Sequence, residues 1–302
     1  MSEQPIISIQ NLSRRFGSNL ALDNVTLEIP RGIVMGLMGE NGAGKTTLIK
    51  HILGLLKAQS GSVSVFGRDP VTDPVTVLSN IGYLSEEGDL PTWMRVHELF
   101  RYAAGFYPTW DDAYAKQLTE QFQLDVSAPL NKLSKGQRSR AGLVVAMAYR
   151  PALLVLDEPS SGLDPIVRRD ILGAIIRTIA DDGRTVLFSS HLLGEVERVA
   201  DRIAIVKAGK LLLTDSLDEV KEKHFGVTLR FVEARQTPPN LPGFMAWDGS
   251  GREWNAVFYG ESSELDRSSS QLGAEVLRRA HLSLDDIFVA HVGHRAEVGE
   301  AS

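Results

Sequence analysis

The chain has no cysteine, which excludes disulfides and thiolate metal sites and fits a reducing compartment. No apolar stretch approaches the roughly 20 residues that a helix needs to cross a bilayer, so work at a membrane would require another subunit as anchor. The first residues, Met1-Ser2-Glu3-Gln4-Pro5, lack the basic and apolar regions of a signal peptide. There is no dense Lys/Arg cluster and the net charge is −6, so nucleic acid has no electrostatic footprint here. Internal repeats and low-complexity segments are also missing. What is present is ordinary for a globular protein: 43% hydrophobic and 23% charged residues in a chain of 302. That length suits one large domain and a smaller one.

Over residues 6–222, short apolar strands alternate with amphipathic helices, which indicates an α/β domain with a largely parallel core. Ser8–Leu12 and Val25–Ile29 alternate in period two, as half-exposed antiparallel strands do. Leu153–Leu156 and Thr185–Phe188 are unbroken apolar runs, the pattern of central strands covered on both faces. Residues 91–150 read as helical. Beyond about Val220 the texture changes: strands are expected over 227–233 and 253–259, and helices over 264–280 and 283–291.

The most informative stretch is Gly39-Glu40-Asn41-Gly42-Ala43-Gly44-Lys45-Thr46-Thr47, between a strand-like run and a helix-like one. This is the context of a phosphate-binding P-loop. Glycines let consecutive N–H groups turn toward one anion, and a helix N-terminus adds its positive end. Lys45 is expected to reach the outer phosphates, and the Thr46 hydroxyl to ligate Mg²⁺.

Asp157 and Glu158 follow the apolar Leu153–Leu156. A buried parallel strand delivers its C-terminal residues to the ligand crevice of an α/β sheet. There Asp157 can serve Mg²⁺, and Glu158 can orient or deprotonate a water aimed at the γ-phosphate. His191 follows the next apolar strand and would come to the same phosphate if the two strands are neighbours. Leu133-Ser134-Lys135-Gly136-Gln137 spells a capped helix start, with Ser134 as cap and Gln137 three residues on. The same helix start is also a second anion site.

In this order, the motifs resemble those of ATP-binding subunits of ABC transporters, and the tail His281–Ala290, with Trp93–Arg95 and Tyr107–Trp110, resembles that of a bacterial ABC-2-like exporter type. The resemblance covers about residues 5–222. It implies a P-loop NTPase core of the ABC type with an antiparallel β subdomain and an α-helical subdomain. The domain expected over 1–222 has its helical subdomain at about 91–150, and a small α+β accessory domain follows over 223–302. Asn41, Gly42, Gly44, Lys45, Thr46 and Thr47 correspond to the family's P-loop, and Phe16 to the aromatic that stacks on adenine. Glu158, His191 and Lys45 take the catalytic roles. Thr46, Glu86 and Asp157 are the implied Mg²⁺ ligands. Ser134, Gly136 and Gln137 would close over ATP held by a second subunit, with Asp164 linking the two sites.

Two positions depart from the family pattern. Lys135 stands where the signature usually has glycine, and Glu86 where a glutamine usually ligates the metal. The implied partners are a separate multi-span membrane permease and a second ATP-binding subunit, either a copy or a close paralogue. The implied location is the cytoplasmic face of the membrane. Trp93 and Met94 fall where the family receives a helix of the membrane subunit, or alternatively fill the helical subdomain's own core. Two other classes compete with transport. A mechanical ATPase acting on ribosomes or DNA usually carries paired nucleotide domains or a long coiled coil, and neither is present. A P-loop kinase is disfavoured by Glu158 beside Asp157 and by the 133–137 segment.

Overall fold

The computed structural model describes residues 4–88 and 90–293. The chain begins with β1 (Ile7–Phe16), β2 (Asn19–Ile29), β3 (Val34–Met38), α1 (Lys45–Ile52), β4 (Ser60–Val65), α2 (Pro74–Leu78) and β5 (Ile81–Leu84). Helices α3 (Val96–Ala104), α4 (Asp112–Gln121) and α5 (Lys135–Met147) come next. They are followed by β6 (Leu153–Leu156), α6 (Pro165–Asp182), β7 (Thr185–Ser190), α7 (Leu193–Val199), β8 (Arg202–Lys207) and β9 (Lys210–Ser216).

Strands β2, β1 and β4 form a three-stranded antiparallel sheet in that order. Along β2 the apolar Val25, Leu27 and Ile29 are buried while Thr26 and Glu28 face solvent, as the period-two pattern predicts. The larger sheet has six strands in the order β5-β6-β7-β3-β8-β9. Its pairs β5/β6, β6/β7, β7/β3 and β3/β8 are parallel. Every residue of β3, β6 and β7 is buried, which is why these segments read as continuous apolar runs. Each fully buried Leu or Val contributes about 1.5–3 kcal/mol, so charge enters β6 only where the strand ends, at Asp157.

Register does the positioning. Leu84 pairs with Leu156, Leu156 with Phe188, and Met38 with Ser190. The carboxyl ends of four strands therefore share one edge, and the segments carrying Gly39–Thr47, Glu86, Asp157–Glu158 and His191 all leave from it. Helices α3 and α5 pack around Val96, Leu99, Leu130, Leu133 and Ala141, a core separate from that of the sheets.

The chain divides into two compact units between Thr214 and Asp215, ahead of the position 222/223 suggested by sequence texture. The reason is α8 (Leu217–Lys223), which packs on β10 (His224–Arg235). β11 (Phe244–Tyr259), α9 (Ser262–Gln271), β12 (Ala274–His281) and α10 (Leu284–Val292) complete the second unit. Its three-stranded sheet, in the order β11-β10-β12, is antiparallel. Leu229, Phe231, Trp254 and Phe258 form its core.

One expected helix is corrected. Residues 264–280 are not a single helix: α9 stops at Gln271, Gly273 turns the chain with φ 63, and β12 follows. Ala, Glu, Leu and Arg in 274–279 favour a helix locally. Pairing with β10 and packing of Ala274 and Val276 on the core win instead.

Candidate active site

The P-loop joins β3 to α1. Gly44 caps α1 with φ 112, and a side chain there would meet the Ala21 carbonyl oxygen at 2.7 Å, so glycine is required. Lys45 is 6% exposed. Its ammonium donates to the carbonyls of Gly39 at 2.6 Å and Glu40 at 3.3 Å. It also lies 3.0 Å from Glu158 Oε1, as an ion pair without hydrogen-bond alignment. The charge that would meet a phosphate is thus held rigid inside the loop.

At the end of β6, Asp157 and Glu158 are both buried. The hydroxyl of Ser189, on the neighbouring β7, donates to Asp157 Oδ1 at 2.7 Å and accepts from the Glu158 amide at 2.8 Å. Thr46 also hydrogen-bonds Asp157. Burial raises the Asp157 carboxyl above the usual range, the Ser189 and Thr46 hydrogen bonds oppose this, and the nearby charges of Glu158 and Glu86 raise it further.

Glu158 has φ 47, a left-handed backbone uncommon for a residue with a side chain. Such conformations persist where surrounding contacts over-determine them, and here those contacts are Ser189, Lys45 and His191. His191 Nδ1 lies 2.7 Å from Glu158 Oε2. Because a carboxylate only accepts, Nδ1 carries the hydrogen. Glu158 is therefore fixed between a cation and an imidazole, one on each oxygen.

The other expected residues behave differently. Ser134 and Gln137 form a reciprocal capping box on α5, with bonds of 3.2 and 2.9 Å. Gly136 is buried, and a methyl group there would stand 2.9 Å from the Val167 side chain. Among the described residues, no hydrogen bond or ion pair joins Ser134, Gly136 or Gln137 to Lys45, Asp157, Glu158 or His191. Asp164 caps the start of α6, accepting from the amides of Ile166 and Val167, and the Val167 bond leads in holding its carboxyl below the usual range. Phe16, at the end of β1, is 44% exposed with the Arg14 guanidinium 4.6 Å from its ring centroid.

The two departures meet adjacent residues. Glu86 Oε1 accepts from the Ser161 hydroxyl at 3.1 Å. A methyl group at Gly162, whose φ is 67, would stand 3.1 Å from the Lys135 ammonium. Sequence reasoning did not foresee Ser189 as the bridge between Asp157 and Glu158, nor Arg14 behind Phe16. The signal available for Ser189 was a hydroxyl pair, Ser189-Ser190, closing an otherwise apolar strand.

Comparison with known proteins identifies the family. The family model described as ABC transporter matches residues 22–161. The ABC transporter ATP-binding protein YtrB of Bacillus subtilis is 29% identical over 294 residues, covering 95% of this chain and 98% of that protein. The lantibiotic transport ATP-binding protein SrtF of Streptococcus pyogenes is 33% identical, covering 76% of this chain and all of that one (100%). A solved ATP-binding subunit of an ABC transporter superposes with a TM-score of 0.66 at 30% identity, covering 72% of this chain and 92% of that chain. The chain belongs to the ATP-binding subunits of ABC transporters.

Proposed function

We propose that this ATPase works as a head-to-tail pair that powers export through a separate membrane subunit. The observation that carries the reading is Glu158, buried and held between Lys45 and His191 at the shared edge of the parallel sheet. Lys45 and the amides around Asn41, Gly42, Gly44, Thr46 and Thr47 bind the phosphates of ATP, and Phe16 stacks on the base. Glu158 takes the proton of the attacking water. His191, aligned by its Nδ1–H bond to Glu158, contacts the terminal phosphate through its other edge. Ser134, Gly136 and Gln137 serve the partner's ATP, consistent with their separation from this chain's own Lys45 and Glu158. Asp164 lies on the turn that joins the two sites.

The donor set suits Mg²⁺. Half-buried Thr46 and buried Asp157 are hydrogen-bonded hard-oxygen groups, and Glu86, whose charge reaches Asp157, offers a further oxygen. Mg²⁺ takes few protein ligands when phosphates and water complete its shell. When bound, it supplies neutralisation of phosphate charge.

A groove of about 720 Å³ beside α3 is lined by Trp93, Met94, Glu98, Arg101, Tyr102 and Phe106. Trp93 is 81% exposed, while Met94 packs on the helical core. An aromatic surface of this kind suits a helix of the membrane subunit. Among the described residues no helix is long and apolar enough to cross a membrane; the peripheral place on the inner face follows from the family resemblance. Export, rather than import, follows from the ABC-2-like resemblance, and the lantibiotic transport in SrtF's name is compatible with it.

The test is capture. Tagged Glu158→Gln protein should retain ATP and Mg²⁺, close as a pair and co-purify in mild detergent with a multi-span membrane protein in fixed ratio. Recovery with ribosomal or DNA-bound proteins, and no membrane partner, would overturn the transporter role. ATPase activity that stays linear in enzyme concentration down to a demonstrated monomer would overturn the shared site.

A further inference from the structure

We propose that Glu195, on α7, is a positioning residue that holds the Glu158 segment, the His191 turn and the 161–164 turn in one register. The inference rests on the roles just assigned to Glu158 and His191 and adds the group that sets their relative position.

Glu195 is 6% exposed, and its contacts reach three separate segments. Glu195 Oε2 accepts from the hydroxyl of Ser160 at 2.5 Å and of Ser190 at 3.3 Å. Oε1 lies 3.0 Å from Arg168 Nε, an ion pair without hydrogen-bond alignment. Ser160 and Ser190 are themselves buried, at 1% and 0% exposure. Ser160 follows Glu158 by one intervening proline, and Ser190 immediately precedes His191. The Ser190 hydroxyl also accepts from the Leu192 amide at 3.0 Å, so it shapes the turn that presents His191. Arg168 reaches the third segment by donating to the Leu163 carbonyl at 3.3 Å, next to Asp164.

Packing does not explain the carboxylate. Leu193 and Val196 already supply the buried apolar contacts of α7, with Val196 set against Gly36 of β3. A buried carboxylate is unfavourable unless paired and hydrogen-bonded. Here it is paired, and each partner belongs to a segment that the reaction needs aligned. Catalysis by Glu158 and His191 requires both to address the same phosphate, and a displacement of about 1 Å in such a pair costs on the order of 100-fold in rate.

The test uses the full-length chain, with steady-state ATP hydrolysis and binding of a fluorescent ATP analogue measured in parallel. Glu195→Ala should lower kcat by about 10- to 100-fold and leave affinity for the analogue unchanged. Glu195→Gln keeps an oxygen acceptor for the two serines and should recover part of the rate. A folded Glu195→Ala protein with native kcat would overturn the proposal, as would parallel loss of kcat, affinity and melting temperature.

If Glu195→Ala does not fold, Ser160→Ala decides, since it deletes one hydrogen bond and leaves Arg168 paired. Reduced kcat at native affinity supports the positioning role, and native kcat sinks it. Glu158→Gln in the same series separates the layers. If that variant still hydrolyses ATP, the assignment of the base fails. If it is inactive while the Glu195 and Ser160 variants are native, only the positioning role fails.

Discussion

The edge of the parallel sheet and the start of α5 both present groups suited to phosphate, yet they are built in opposite ways. At the sheet edge Lys45, Asp157 and Glu158 are buried, and each bonds to a residue distant in sequence. At α5 the Ser134 and Gln137 side chains satisfy one another within a single turn. The first region is preorganised by the core of its own chain. The second depends on local capping, a suitable design for the surface proposed to meet another subunit.

The contrast is broken most strongly at Glu158. Replacing Glu158 with Gln keeps the shape but removes the proposed base, so phosphate release should fall by about 10²–10⁴-fold while ATP still binds. Next comes Ser189→Ala, which strips a hydrogen bond from Asp157 and a partner from the Glu158 amide. Leaving buried polar groups unsatisfied costs about 1–3 kcal/mol, so denaturant melts should show lower stability together with slower hydrolysis. Ser134→Ala should act on the other side of the comparison. Losing an N-cap costs about 0.5–2 kcal/mol, and nucleotide affinity of the monomer should stay native while hydrolysis by the pair drops.

Glu86 sharpens the comparison, since it reaches from the sheet edge to Ser161. Glu86→Gln retains an acceptor oxygen and should leave hydrolysis largely intact, whereas Glu86→Ala should weaken its Mg²⁺ dependence. A normal Mg²⁺ titration of the Ala variant would remove Glu86 from the metal site.

The smallest effect is expected in the second unit. There His224 Nδ1 donates to the Val220 carbonyl, and His291 Nε2 lies 2.8 Å from His224 Nε2. Burial pushes both imidazoles down from 6.5, and the charge of His224 helps bring His291 to about 4. A lowered folded value means that the unfolded chain binds more protons on acidification. Stability is therefore retained above about pH 6.5 and falls as pH drops toward 4. Melts followed by tryptophan fluorescence should show this, and His291→Gln should flatten the decline.

Much of this was legible in the residue order. Strand-ending motifs are local: a P-loop, an acidic pair after an apolar run and a histidine after the next one announce themselves. The antiparallel alternation of residues 25–29 and the capping box at Ser134 were equally plain. What escaped depended on distant pairing. Ser189 meets Glu158 and Glu86 meets Ser161 only because the register of β5, β6 and β7 brings them together. β12 was hidden for the same reason, since its residues favour a helix until β10 is beside them.

The contacts made by Glu86 and Lys135 have an evolutionary consequence. One touches Ser161 and the other lies over Gly162, so two substitutions far apart in the chain act on a single turn. Opposite charges thus converge on one turn, where Gly162 takes φ 67. Positions 86 and 135 should therefore be inherited as a pair: lineages with an acid at the first should keep a base at the second, and those with an amide should tolerate glycine.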